Sequence, residues 1–194
     1  MVLDWQMLYA TDISQLAEAY GQPVLRSYVH DVDQTTWDYW RRLTKKRTSE
    51  VVMLLRRPGD LYVVHTKPFY PQGIYRLLSG GLNPNESLYD AALREGYEET
   101  GLSVQWDRFL AITRHSFAYQ GKTIRFVSYL VSLTSHQGPL QNQDEGEQIS
   151  GYREVSLSDL GTLANTLELL PPDWVEWGRF RAPAHRLAVE LLAQ

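Results

Sequence analysis

Hydrophobic and polar positions change period several times along this chain, and each change marks an element. Ile13–Tyr20 carries a helical pattern closed by Gly21, with Asp12 as the expected N-cap. Pro23–His30 alternates Val24, Arg26, Tyr28 and His30 against Leu25, Ser27 and Val29, the period of a strand. Glu50–Arg56 and Leu61–Thr66 are strand-like, and Pro58-Gly59-Asp60 between them predicts a hairpin. Gly73–Leu78 predicts a further short strand. Ser87–Thr100 reads as a helix stopped by Gly101, the residue type that favours the left-handed C-terminal position. Two more strands are expected within Val104–His115 and Thr123–Ser132, joined by the turn Gln120-Gly121-Lys122. A polar, acidic loop, Pro139–Ser150, precedes a last strand over Tyr152–Ser156. Helices are expected over Leu157–Leu169 and Trp174–Leu192, on either side of Pro171-Pro172. Hairpin connections dominate, so the expected class is α+β, a mixed sheet covered by helices and not a doubly wound parallel fold.

Composition narrows the classes of function. The 194 residues include 23 acidic and 19 basic side chains, a net charge of -4, and no cysteine. The absence of cysteine excludes disulfides, thiol nucleophiles and cysteine-held metals. The mildly acidic balance argues against nucleic acid as the main partner. No apolar run approaches the ~20 residues that span a bilayer, so no membrane partner is expected. The opening Met1-Val2-Leu3-Asp4-Trp5 has an early acid and no early base, unlike a signal peptide, and the cytoplasm is the expected compartment.

The charge is concentrated in one place. Gly80–Leu102 holds Glu86, Asp90, Glu95, Glu98 and Glu99 against Arg94 alone, a net of -4 that equals the whole chain's. At 100° per residue, Glu95, Glu98 and Glu99 share an arc of roughly 100° on one helix. Like charges so close destabilise a helix, and its last turn prefers cations. A hard divalent cation with oxygen ligands resolves both conflicts. Tyr89, Leu93 and Tyr97 lie opposite and read as the core stripe. Ala91 and Ala92 share the glutamate side, and Gly80-Gly81 lets backbone come close to a metal or phosphate. The bland alternative is a solvated acidic helix end.

The spacing Gly-x5-Glu-x7-Arg-Glu-U-x-Glu-Glu-x-Gly-U (U, bulky aliphatic) runs through Gly80, Glu86, Arg94, Glu95, Glu98, Glu99, Gly101 and Leu102. This segment resembles the Nudix box of the Nudix hydrolase superfamily. The departure is Gly96, where the pattern has an aliphatic residue; in a helix interior glycine costs ~1 kcal/mol. The resemblance implies an α/β/α sandwich around a mixed sheet, with a Nudix domain over residues 49–165, an N-terminal extension over 1–48 and a helical tail over 166–194. It implies a pyrophosphohydrolase that splits a nucleoside diphosphate linked to a moiety X into NMP and phosphorylated X. Glu95, Glu98, Glu99 and the Gly81 carbonyl would hold Mg²⁺ or Mn²⁺, with Arg94 pairing Glu86 or orienting Glu95. A carboxylate outside the box often serves as base in this family, which points to Glu145 or Glu147, with Glu98 or Glu99 as alternatives. Arg76 could face the phosphates or be a surface arginine. Tyr119 resembles a tyrosine that recurs in the dinucleoside-polyphosphate branch. The proline that marks ADP-ribose hydrolases is missing, since none occurs between Pro84 and Pro139. These markers lean toward dinucleoside polyphosphates or nucleotide sugars. His115, Phe117 and Arg125 are further candidate contacts. A non-catalytic module that senses nucleotides is the alternative. A prenyl diphosphate isomerase would need the cysteine this chain lacks.

Two aromatic segments lie outside the box. Trp37–Arg47 interleaves aromatics with cations, which can stack bases. The favoured expectation is a helix that packs its tryptophans on the domain or forms a homodimer contact. Trp174, Trp177, Phe180 and Leu187 are expected in a core or interface, with Arg179, Arg181 and His185 facing solvent.

Overall fold

A computed structural model describes residues 12–193. The reading of Met1–Trp5 concerns residues outside this range. The chain builds helix α1 (Ile13–Tyr20), strand β1 (Val24–Asp31), helix α2 (Gln34–Leu43), strands β2 (Ser49–Arg57), β3 (Leu61–Thr66) and β4 (Arg76–Gly81), and helix α3 (Leu88–Thr100). Strands β5 (Val104–Tyr119), β6 (Lys122–Ser135) and β7 (Gly151–Val155) and helices α4 (Leu157–Glu168) and α5 (Pro172–Leu192) follow.

All seven strands form one mixed sheet in the order β1-β5-β6-β2-β4-β3-β7. β1 runs parallel to β5 and β2 parallel to β6; the remaining pairs are antiparallel. Strand alternation sends Val51, Met53 and Leu55 to one face, where they pack with α1 and α3. Val52 and Leu54 go to the other, where they pack with α4 and α5. The result is the expected α/β/α sandwich. β1 belongs to this sheet as its edge. Among the described residues no helix is long and apolar enough to cross a membrane.

Three local predictions shift. The β2–β3 hairpin forms, but only Arg56↔Tyr62 and Arg57↔Leu61 pair before the strands part. β4 fills the fork, pairing Met53↔Leu78 on one side and Val64↔Leu77 on the other. β4 also begins three residues later than predicted, so Gly80 and Gly81 are its last residues and not a loop. Asp12 does not cap its own helix with its side chain. Its carboxylate instead accepts from Leu88 N and Tyr89 N, both at 2.9 Å, where α3 still has unpaired donors. It thereby ties α1 to the helix that carries the glutamates.

α2 is amphipathic, with Trp37 and Trp40 buried among Val32, Phe117, Phe126 and Phe180. The expectation that these tryptophans pack on the domain holds.

Candidate active site

α3 starts at Ser87, whose hydroxyl accepts from Asp90 N, and ends at Gly101 in the left-handed region (φ 71°). The face it turns inward includes two glutamates, against what hydrophobicity alone suggests. Glu95 and Glu99 are 5% and 0% exposed, with Ala91 and Ala92 buried beside them. Tyr89 and Tyr97 are 37% and 51% exposed. Tyr89 stacks on Trp106 at 5.7 Å on the rim instead of filling the core. Of the predicted core stripe, Leu93 packs against the core while Tyr89 and Tyr97 lie on the outer face, and the small alanines let α3 sit low on the sheet.

Burying two carboxylates is expensive unless something compensates. Arg94 supplies part of this. Its Nε and Nη2 grip both oxygens of Glu86 at 2.6 and 2.8 Å. Its Nη1 donates to Glu95 Oε1 at 2.9 Å and Glu98 Oε2 at 2.8 Å, and its Nη2 also donates to the Gly81 carbonyl at 3.0 Å. Glu95 Oε2 and both oxygens of Glu99 remain buried with no hydrogen-bond partner. Burial pushes Glu99 up to about 8, against the pull of the Arg76 guanidinium, and the charges of Glu147 and Glu95 add to the rise. Burial likewise pushes Glu95 up to about 7, opposed by Arg94 and reinforced by Glu147 and Glu98.

Glycine is required beside this cluster. A Cβ on Gly80 would lie 1.7 Å from the Glu95 carboxyl carbon, so only a bare backbone admits the side chain. Orphaned carboxylate oxygens against a glycine backbone are the donor set a hard divalent cation takes. Glu95, Glu98 and Glu99 thus fit such an ion in chemistry. Among the described residues, no three acidic or imidazole groups converge on one point, and one Arg94 nitrogen bridges Glu95 and Glu98.

The remaining predicted residues divide. Glu147 comes to the site: it is near enough to act on Glu95 and Glu99, and Lys67 Nζ holds its Oε2 at 2.8 Å. Glu145 starts the same short turn but is exposed. Arg76 is not a surface arginine. It is buried, donating to Tyr70 OH, Leu77 O and Ser79 Oγ, with its charge acting on Glu99. Tyr119 is not brought to the box. It pairs with Lys122 at the hairpin tip and packs on Trp37. Lys122 lies six residues, or about 20 Å of strand, from Ser128, the neighbour of Glu50 and hence of Gly81. His115 and Phe117 are buried on the α5 face, the opposite side of the sheet from α3, and Arg125 is exposed at the far end of β6.

Several residues escaped sequence reasoning. Lys67 and Tyr152 carry no motif; only the fold sets Lys67 against Glu147 and the Tyr152 hydroxyl on the Glu99 carbonyl. Arg181 and His185 turn inward instead of facing solvent as the sequence predicts. Arg181 donates to both oxygens of buried Glu50 at 2.9 and 3.0 Å. His185 accepts from Leu77 N through Nε2 at 3.1 Å. Arg179 is exposed, as expected. Half-buried Arg181 and buried His185 thus tie α5 to Glu50 of β2 and Leu77 of β4.

The family model of the NUDIX domain matches residues 45–178. The chain belongs to the Nudix hydrolase family. A stretch of 98 residues is 31% identical to Nudix hydrolase 2 of Arabidopsis thaliana, covering 49% of this chain and 35% of that protein. A stretch of 36 residues is 50% identical to the NAD-capped RNA hydrolase of Schizosaccharomyces pombe, covering 19% of this chain and 10% of that protein. The chain thus spans well under two thirds of either relative. Among solved structures, a Nudix hydrolase from Nitrosomonas europaea superposes with a TM-score of 0.49 at 20% identity, over 70% of this chain and 91% of that one.

Proposed function

We propose that this Nudix protein is a Mg²⁺- or Mn²⁺-dependent pyrophosphohydrolase acting on a nucleoside diphosphate linked to a second moiety. The observation that carries the reading is the pair of buried carboxylates, Glu95 and Glu99, whose oxygens are orphaned on one helix, with Glu95 set against Gly80 of β4. Glu95, Glu98 and Glu99 are the residues that would hold the metal. When bound, such a cation polarises a phosphoric anhydride and lowers the pKa of an attacking water. Arg94 orients Glu95 and Glu98 through one guanidinium nitrogen and anchors the preceding loop through Glu86. Glu147 is the general base: it takes the proton released as water oxygen bonds to phosphorus and the anhydride P–O bond breaks. Lys67 holds that carboxylate in reach of the site. Arg76, buried and bonded to Tyr70, Leu77 and Ser79, is assigned to favouring the ionised form of Glu99 through its charge and not to contacting substrate.

The test is a panel of ADP-ribose, NADH, diadenosine polyphosphates, nucleotide sugars and NAD-capped RNA, assayed for phosphate-ester release over a Mg²⁺ series. At least one substrate is expected to turn over. The Glu98→Gln/Glu99→Gln double variant should lose that turnover while its far-UV circular dichroism is unchanged. Full activity in the folded double variant would remove the assignment. Tight binding of a panel member without cleavage by the native chain would support the nucleotide-sensing alternative instead.

A further inference from the structure

A second cavity lies on the opposite side of the sheet from α3. It is a groove of about 590 Å³ between α2 and α5, within the usual range of small-molecule sites. Three partly exposed aromatic rings wall it, Tyr39 from α2 and Trp174 and Trp177 from α5; Trp40 also borders it but is buried and stacked on Phe117 at 3.8 Å. They form two near-perpendicular pairs, Tyr39–Trp40 at 5.5 Å and 83° and Trp174–Trp177 at 5.3 Å and 86°. Trp177 is braced from behind by Tyr70 at 4.8 Å, so its ring is set before any ligand arrives.

The polar lining has one sign. Asp33, Asp173 and Glu176 all border the groove, and none of its lining residues is basic. Among the described residues, none of the three forms an ion pair. Asp33 and Asp173 have local duties, since Asp33 caps α2 by accepting from Thr36 N at 2.7 Å and Asp173 lies in the first turn of α5. Helix-end dipoles offset part of their charge. Glu176 has no such offset. Its Oε1 accepts from Asp33 N at 3.2 Å, while its Oε2 is shut off from solvent without a hydrogen-bond partner. A groove bordered by three carboxylates and by aromatic faces that carry negative quadrupoles, with no basic residue in its lining, is complementary to a cation.

We propose that this groove binds a small alkylammonium ligand, a quaternary or methylated amine. Such a cation offers an apolar jacket to the three exposed rings and a positive charge to the carboxylates of Asp33, Asp173 and Glu176. A compact metal ion would leave the aromatic walls unused. An anion would meet three carboxylates. The proposal does not depend on hydrolysis, because the groove and the box lie on opposite faces of the sheet.

The probe is choline, with tetramethylammonium as a second cation and 3,3-dimethylbutanol as the uncharged isostere of choline. Each is titrated by calorimetry and by intrinsic tryptophan fluorescence. Both cations are expected to bind saturably and to shift the tryptophan emission, with choline at least tenfold tighter than its isostere. Glu176→Gln, which keeps an acceptor for Asp33 N, and Tyr39→Ala, at a half-exposed position, should each weaken choline at least tenfold at unchanged melting temperature. Equal affinity for choline and 3,3-dimethylbutanol would overturn the proposal, as would no saturable response to either cation. Retained choline affinity in the folded Glu176→Gln variant would also overturn it.

Discussion

Gly96 departs from the box pattern, and its surroundings explain the departure in a form that can be measured. It lies inside α3 and is buried, and a Cβ there would come within 2.8 Å of Val104 Cγ2 and 3.3 Å of Cγ1. The aliphatic volume the pattern wants at this position is supplied from β5. Gly96→Ala would gain about 1 kcal/mol of helix propensity. It would lose about 1–3 kcal/mol to overpacking. The net expectation is a destabilisation of about 1 kcal/mol. Val104→Ala alone removes two buried methyl groups at about 0.8 kcal/mol each, plus a cavity term. In the double variant the clash is gone and the added methyl fills part of the space, so the propensity gain is realised. The double variant should therefore be more stable than the sum of the two single changes by about 2 kcal/mol. Urea unfolding of the four proteins in the cycle measures this coupling. Additivity to within about 0.5 kcal/mol would refute the packing argument. So would a Gly96→Ala variant more stable than the parent, since propensity would then outweigh the contact.

Two further predictions concern buried polar groups. Burial lowers His185 from the usual 6.5 to about 4, helped by the Arg76 and Arg181 charges. The unfolded chain takes up a proton below about pH 6.5 while the folded chain resists until about pH 4, so this site's stabilisation is complete above that window and lost as pH falls through it. The loss is about 3 kcal/mol. His185→Gln should flatten the slope of unfolding free energy against pH between 6.5 and 4, and an unchanged slope would discount the effect. Gly80→Ala should displace the Glu95 carboxylate and abolish metal-dependent turnover with the fold intact by circular dichroism; normal turnover would show that Glu95 need not sit there.

Much of this architecture is legible in local chemistry. Ser87, Gly101 and the Gln120-Gly121 turn mark their boundaries because each satisfies or redirects backbone within a few residues. The inward face of α3 was not legible. Angular spacing says which side chains share a face, and ordinary hydrophobicity then puts tyrosines inside and glutamates outside. Here the rule fails because Trp106 and Tyr20 offer Tyr89 a partner at the rim, while the backbone beside Gly80 receives Glu95. Asp12 fails for a related reason: a capping carboxylate is satisfied by any unpaired helix donors in reach, and it takes those of α3, 76 positions on, instead of its own. Arg181 and His185 looked like solvent residues because nothing in their neighbourhood announces the buried Glu50 across the fold. Glu147 and Lys67 meet over 80 positions, a distance no spacing rule covers.

The fork between β2 and β3 has a consequence for how the site wears perturbation. β4 lies inside a seven-strand sheet, paired on both sides, so the backbone that receives Glu95 can open to solvent only if the sheet itself comes apart. Glu147 rides on a short turn in a polar connection, moored by one lysine. One half of the constellation therefore shares the fate of the whole domain under heat or denaturant. The other half can loosen, drift in sequence or be remodelled while the sheet stands unaltered.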